Sequence, residues 1–179
     1  MRWLLPLVVF LIPACSGDTA DPIVRLPATL ADMDYPNGHP LVRNAPYNAA
    51  VAQLERQHLD LVNVWRQSRG LPAFSRCDSL DAIARAYSEH MSIEPFFGHI
   101  APEGGDLADR VYAASGVVMV YSAENIMRTA DPNAAYVLAA FLASPAHEAN
   151  LLTASGSALG VGIYGDGLYY NVTYEFIWR

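Results

Sequence analysis

The C-terminal stretch SALGVGIYGDGLYYNVTYEFIWR (157–179) constrains the fold more than any other part of the chain. It is rich in β-branched and aromatic residues on both sides of Gly165-Asp166-Gly167, and such a sequence is typical of two strands joined by a tight turn. The segments before it show helical spacing of their apolar residues. Helices followed by a closing hairpin favour an α+β fold, with a central antiparallel sheet covered by helices.

Apolar periodicity and start signals predict five helices ahead of the hairpin. We expect Asp78 or Ser79 to cap the second helix, Asp106 to cap the third, and the pairs Asp131-Pro132 and Ser144-Pro145 to open the fourth and fifth. The expected ranges are about 49–68, 79–92, 106 to near 116, 131–143 and 144–152.

A β-branched and apolar stretch at 117–127 predicts one further strand that leads into Glu124 and Asn125. Asn125 is expected to satisfy backbone groups at the end of that strand. His58 lies on the apolar stripe of the first helix and is expected to be a core histidine. His90 lies at the flank of the second helix, where either a buried or a functional role fits.

The N-terminal residues have the composition of a targeting segment. Arg2 precedes an apolar run from Trp3 to Ile12 that is too short to span a bilayer. Ile12-Pro13-Ala14-Cys15 resembles a bacterial lipobox, in which the cysteine receives a lipid. We therefore predict a lipoprotein-type signal peptide at 1–14 and a lipid anchor on Cys15.

The predicted mature chain then has a proline-rich tether at 15–47 and one domain at 48–179. It would be anchored to a membrane of the bacterial cell envelope and face the periplasm or the exterior. The alternative is ordinary secretory cleavage and a secreted protein. If Cys15 carries lipid, no intramolecular disulfide forms and Cys77 is a small buried thiol. The formal net charge of −7 argues against nucleic acid or anionic lipid as an electrostatic partner.

Three segments carry ionisable side chains beside residues that fix backbone geometry: FFGHIAPEGG (96–105), SAENIM (122–127) and SPAHEAN (144–150). If His99, Glu124 and His147 converge, they can hold a divalent metal such as zinc or magnesium, or share a water or a proton. Their separations of 25 and 23 residues are not those of a local metal motif, so spacing does not establish convergence.

His147 is expected at the third position of its helix. The positive helix end disfavours a charged ring there and lowers its pKa, which leaves the neutral form that a metal requires. The alternative is that the ring only hydrogen-bonds the helix end.

The order of the motifs matches a known pattern. LVNVWRQSRGLPAF (61–74) resembles N-x-x-R-x-x-x-G-L-x-x-L, and FFGHIAPEGG…DR resembles F-x-H-x-x-P-x-G…R. AENI, SPAHEANLL…LGVGIY and VTYEF follow in the positions of E-N-I, S-P-G-H-R-x-N-I-L…G-V-G and a final T-Q-x-F strand. Together they resemble the CAP superfamily (SCP/TAPS: cysteine-rich secretory, antigen-5 and pathogenesis-related proteins) in its shorter bacterial form, over about 49–179.

The resemblance implies an α-β-α sandwich and a cleft lined by two histidines and one or two glutamates, which in several relatives holds a divalent metal. Carried over by position, these residues are His99, His147 and Glu124. Ser144 stands where larger members have a second glutamate, and Tyr174 stands where the final strand has a glutamine. Arg110 is expected to pair with a carboxylate or with loop carbonyls.

Three functions stay open from the sequence. The first is a ligand-binding module of the cell envelope that takes a lipid, a glycan or a protein. The second is a metal- or His/Glu-dependent hydrolase with Glu124 as its general base. The third is a structural or adhesion protein whose cleft is a relic. The missing second glutamate favours binding over catalysis.

Overall fold

The computed structural model of the chain describes residues 49–115, 121–153 and 156–178. The predicted signal peptide, the tether, Cys15 and the first residues of the strand expected at 117–127 lie outside these ranges. Within them, no helix has the length and apolar character needed to cross a membrane. The elements in chain order are α1 (Ala49–Gln67), β1 (Ser75–Arg76), α2 (Asp78–Ile93), α3 (Leu107–Ser115), β2 (Tyr121–Thr129), α4 (Ala134–Leu142), α5 (Pro145–Leu152), β3 (Gly156–Gly165) and β4 (Tyr170–Trp178).

The sheet has four strands in the order β1-β3-β4-β2. β4 pairs antiparallel with β3 and with β2, so the predicted antiparallel sheet is confirmed for these three strands. The predicted turn between β3 and β4 is also confirmed: Asp166 Oδ1 accepts from the amides of Leu168 and Tyr169, and Gly167 has φ +97°. The two-residue β1 was not predicted, and it joins the edge of β3 in parallel.

Helices cover both faces of this sheet. α2 packs on β3 and β4 from one side with α3 beside it, whereas α1, α4 and α5 pack together on the other side. The α-β-α sandwich that the family resemblance implied is therefore confirmed.

Residues of β4 alternate between two different environments. Val172, Tyr174 and Phe176 enter a large apolar cluster with α1, α4 and α5. Asn171 and Thr173 point to α2, where Asn171 Nδ2 donates to the carbonyl of Ser88 at 3.1 Å. β4 thus presents apolar side chains to one layer of helices and mainly polar ones to α2, although α2 and α3 also form apolar clusters of their own with Ala158 and Ile126.

His58 lies in the apolar layer, as predicted, and is fully buried. Its Nε2 is 2.8 Å from the carbonyl oxygen of Pro132, which can only accept, so Nε2 carries the proton and donates. Nδ1 then accepts from the hydroxyl of Tyr174 at 2.6 Å. Burial lowers the pKa of His58 to about 4. Cys77 is buried as well, which confirms the expectation for this thiol.

Glycines on β3 bring α2 close to the sheet. A Cβ added to Gly160 would lie 2.5 Å from the backbone carbon of Leu80, and one added to Gly162 would lie 1.9 Å from the amide nitrogen of Arg85. Real Cβ contacts are never this short, so larger residues at these positions would push α2 away. The G-V-G of the motif SPAHEANLL…LGVGIY is therefore a packing requirement of this face.

Several predicted element ends were wrong. Cys77, not Asp78 or Ser79, is the N-cap of α2, and its side chain makes no capping bond. Asn133 caps α4 instead of Asp131, because Asp131 Oδ1 accepts from the amide of Asn133 and leaves the helix amides to Asn133.

Other element ends were predicted more closely. Asp106 Oδ1 accepts from the amides of Ala108 and Asp109, so the predicted cap of α3 is confirmed. Ser144 and Pro145 open α5 as predicted, although the hydroxyl of Ser144 makes no capping bond. β2 continues past Glu124 and Asn125 to Thr129, so the prediction that these two residues stand at a strand end was wrong.

Candidate functional site: a His/Glu cleft at the edge of the sheet

Glu124, near the middle of β2, is the centre of the site. Its carboxylate is largely buried, with 5% of the side chain exposed. Oε1 accepts a hydrogen bond from Nδ1 of His99 at 2.8 Å, and Oε2 accepts from the guanidinium of Arg110. The structure thus brings together two of the three predicted site residues and adds Arg110 to them.

Arg110 extends from α3 and is buried beneath Glu124. Its Nη1 donates to the carbonyl of His99 at 3.4 Å, and its Cζ lies 3.5 Å from the centroid of the Tyr87 ring. The expectation that Arg110 binds a carboxylate or loop carbonyls is confirmed on both counts. This one guanidinium sets the position of Glu124 and of the loop that carries His99.

Glu175 is a second carboxyl group in this cluster, and sequence reasoning missed it. It is the direct cross-strand partner of Glu124, is fully buried, and has Oε1 3.5 Å from Arg110 Nη2. Neither of its oxygens has a hydrogen-bond partner among the described residues. Burial raises the pKa of Glu175 well above its ordinary value, which favours its protonated form. The alternation of β4 was the available signal, because it turns Glu175 inward with Asn171 and Thr173.

His99 stands on a loop that is fastened from below. The hydroxyl of Tyr87 donates to the carbonyl of Gly98 at 2.7 Å, and Arg128 donates to the carbonyl of Phe96 at 3.0 Å. The His99 side chain is 55% exposed. Because Nδ1 faces Glu124, Nε2 is the nitrogen left for a ligand. The hydrogen bond to Glu124 is the main cause that raises the pKa of His99.

His90 is not part of this site. It is buried, and its Nε2 lies 3.5 Å from Oε1 of Glu103, which is also buried. The structural role left open for His90 by the sequence is the one observed.

His147 is the third residue of α5, which is joined to β2 through Asn125, next to Glu124 and on the opposite face of the strand. The region between His99 and His147 is the candidate cleft. Its ring lies against Phe141, with 5.1 Å between centroids. Its carbonyl accepts from Nδ2 of Asn125 at 3.1 Å, and Oδ1 of Asn125 accepts from Asn150 at 2.8 Å. Asn125 is fully buried, so its expected scaffold role is confirmed, although at mid-strand.

The pKa of His147 is lowered, in the direction predicted. The causes differ from the expected helix-end effect: burial is the larger, and repulsion from a charged His99 is the second. The cleft therefore has one histidine biased towards its charged form and one biased towards its neutral form.

The donor set does not fit a divalent metal as it is arranged here. Within the described ranges, no group of three or more His, Cys, Asp or Glu side chains is placed to hold a metal ion. Both oxygens of Glu124 already accept hydrogen bonds, from His99 and from Arg110, and Nδ1 of His99 is turned to Glu124. The metal that the resemblance implied stays a prediction.

Comparison with known families identifies the chain. The model of the "Cysteine-rich secretory protein family" (CAP) matches residues 59–178, which include His99, Glu124 and His147. The chain belongs to the CAP family. The family resemblance stated from the motifs is thereby confirmed.

Known bacterial proteins are similar over most of this chain. The uncharacterized protein YkwD of Bacillus subtilis is 28% identical over 129 residues, covering 72% of this chain and 49% of YkwD. The uncharacterized membrane protein YlbC of the same organism is 34% identical over 125 residues, covering 70% of this chain and 34% of YlbC. An extracellular protein of Bacillus anthracis containing an SCP domain has a solved structure with TM-score 0.64 and 27% identity, covering 77% of this chain and 46% of that one. The chain thus spans about half the length of YkwD and about a third of YlbC.

Proposed function

We propose that this CAP domain is an extracytoplasmic module that binds a ligand in the cleft between His99 and His147. The observation that carries the proposal is the exposed His99 ring, held by Glu124 and, through Glu124 and the loop carbonyl, by Arg110. A ring fixed in this way presents Nε2 to a ligand at little entropic cost. His147, biased towards its neutral form, offers a hydrogen-bonding partner on the facing wall.

Binding is favoured over catalysis by the state of Glu124. A general base must be free to take a proton, and both oxygens of Glu124 already accept hydrogen bonds from Arg110 and His99. The carboxylate is therefore suited to orienting His99. The ligand classes are a lipid, a glycan or a protein of the cell envelope.

The location rests on the N-terminus and on similarity. The lipobox-like sequence at Cys15 supports a lipid anchor, and the relative from Bacillus anthracis is described as extracellular. Fractionation of cells that express the full chain tests the anchor. Cys15→Ala is expected to release the protein from membranes, and unchanged membrane association in this variant would show that Cys15 is not the anchor.

Binding assays on the purified domain test the cleft itself. Metal analysis comes first, followed by titration with lipid vesicles and with peptidoglycan fragments, each with and without a chelator. His99→Ala is expected to weaken binding about 10- to 100-fold, which is the usual effect of losing a charge-assisted hydrogen bond. Tyr136→Ala, an exposed change on α4, is the control. Equal binding by wild type and His99→Ala to every probe would leave the structural or adhesion role.

A hydrolase is the second candidate, and one observation favours it. The pKa of His99 is raised and that of His147 is lowered, and such a pair can supply an acid and a base at the same pH. If hydrolysis occurs, its rate should follow a bell-shaped pH profile whose two limbs disappear separately in His99→Ala and His147→Ala. A profile that keeps both limbs in both variants would exclude this role.

A further inference from the structure

The floor of the cleft is the outer edge of β2. In the part of the sheet that the structure describes, β2 is the terminal strand and pairs with β4 along one side only. The His99 loop is tied to β2 through Glu124, and α5 is tied to it through Asn125. Because side chains of successive strand residues point to opposite faces, the two walls of the cleft rise on opposite faces of the same strand.

Hydrogen bonds of β3, at the opposite edge of the sheet, determine which backbone groups of β2 point outward. Past the short β1, the amides of Val161 and Ile163 donate to carboxylates of Asp81 at 2.8 Å and Glu55 at 3.1 Å. These amides therefore point away from β4. Backbone groups alternate along a strand, so the intervening residues of β3 are the ones that exchange hydrogen bonds with β4.

The same alternation holds in β4. Gly162 pairs with Thr173, so the backbone N–H and C=O groups of Thr173 point to β3. Those of its neighbour Tyr174 point to β2, where Tyr174 pairs with Asn125. The β2 residues that alternate with Asn125 must then face outward. Ser122 and Glu124 thus present their N–H and C=O groups at the outer edge, in the floor of the cleft, whereas Ile126 is buried against Ala101 and Phe96 of the His99 loop.

The two edges of the sheet differ in how their outward backbone groups are hydrogen-bonded. On β3, buried carboxylates from α1 and α2 take up the outward amides. On β2, no backbone hydrogen bond from another strand reaches the outer edge within the described ranges. An edge of this kind is a template for another extended chain.

We propose that the cleft binds an extended peptide, which pairs as a fifth strand with the outer edge of β2 at Ser122 and Glu124. This inference rests on the proposed binding function and names the ligand class for it. Residues opposite each other in a sheet point to the same face. The peptide residue opposite Glu124 therefore lies beside His99, and its two neighbours point to the wall that carries His147.

The charges around Glu124 favour an acidic side chain at that peptide position. Arg110 and His99 both donate to Glu124, so a protonated His99 leaves the cluster with one positive charge in excess. The nearby carboxyl of Glu175 does not cancel it, because burial favours its neutral form. An aspartate or glutamate beside Nε2 of His99 would neutralise this charge.

The test uses a positional-scanning library of capped hexapeptides and two variants of one edge residue. Ser122→Pro removes an outward N–H and is tolerated at an edge strand, whereas Ser122→Ala keeps that N–H and serves as the matched control. The best hexapeptides should contain an acidic residue and bind Ser122→Pro about 2- to 10-fold more weakly, the effect of one hydrogen bond. Ser122→Ala should bind as wild type does.

Methylation of the peptide nitrogens keeps the test independent of how Ser122→Pro folds. Edge pairing predicts that N-methylation of alternate peptide residues abolishes binding, whereas methylation of the residues between them is tolerated. Hexapeptide binding that shows no alternation, or that is equal in Ser122→Pro and Ser122→Ala, would overturn edge pairing.

Two further outcomes separate this inference from the proposed function. If no hexapeptide binds, but a peptide-free glycan fragment or a lipid vesicle binds in a His99-dependent manner, the peptide inference fails and the binding function stands. If no probe binds in a His99-dependent manner, both fail.

Discussion

The two faces of the central sheet differ in what they contribute. The face towards α1, α4 and α5 is packed with apolar and aromatic side chains around Tyr174 and Phe176. On the face towards α2, β4 carries Thr173 and Glu175 and β3 carries two glycines, so polar contacts of β4 lie there beside the smaller apolar clusters of α2 and α3. The charged part of the candidate site lies on this second face. A buried carboxylate needs polar partners, so the charged site lies where β4 is polar, and the largest apolar cluster lies on the opposite face.

The largest expected effect is the loss of an aromatic ring from the apolar face. Phe176 is fully buried, with its ring centroid 5.5 Å from that of Phe74. Phe176→Ala should lower the free energy of unfolding by about 3–5 kcal/mol. Thr173→Val, on the polar face, should lower it by about 1 kcal/mol, because it removes one hydrogen bond, to Ser88. Chemical denaturation measures both, and equal losses would contradict the contrast between the faces.

Acid should destabilise the apolar face through its buried histidine. The folded-state pKa of His58, about 4, lies below its ordinary value of 6.5, so folding favours the neutral ring. Its stabilising contribution is complete above pH 6.5 and is lost as the pH falls towards 4, by about 3 kcal/mol in total.

The matched variant is His58→Gln, because glutamine can still donate to Pro132 and accept from Tyr174. Unfolding free energies measured between pH 7 and pH 4 should fall less steeply in this variant than in the wild type. Parallel curves would show that His58 does not titrate in this range.

The next effect is overpacking between the polar face and α2. Gly162→Ala places a Cβ within 1.9 Å of the Arg85 amide, and relief requires α2 to move. A loss of about 1–3 kcal/mol is expected in thermal or chemical unfolding. Gly98→Ala is the control, since its Cβ would meet nothing nearer than 3.8 Å. A neutral Gly162→Ala would mean that α2 is not seated as closely as described.

The smallest effect on stability is expected at the site. His99 has a raised pKa, so its stabilising contribution is present below pH 6.5 and is lost as the pH rises through the folded-state value. Glu124→Gln removes the negative partner, and the pKa of His99 should fall back towards 6.5. An NMR titration of the imidazole resonances measures this shift. An unchanged His99 pKa in a folded Glu124→Gln variant would contradict the contact between the two side chains.

Much of the fold followed from the sequence, because helical periodicity and the hairpin turn are local signals. The meeting of His99 with Glu124 could not be derived from their spacing, and only the ordered family motifs indicated it. The inward position of Glu175 could have been predicted, since strand alternation alone turns its side chain inward. β1 could not have been predicted, because a strand of two residues shows no periodicity. The cap of α4 was missed because Asp131 and Asn133 are both good caps, and their mutual hydrogen bond decides between them.

The eight-residue α5 is held at both ends. At its C-terminal end, Arg66 donates to the carbonyls of Leu151 at 2.6 Å and Thr153 at 3.0 Å. Near the other end, about 6 Å along the helix axis from Leu151, Asn125 donates to the carbonyl of His147. His147 thus lies on a helix that is anchored at two positions, whereas His99 lies on a loop without regular secondary structure. Any adjustment of the cleft to the size of its ligand should therefore come from the loop.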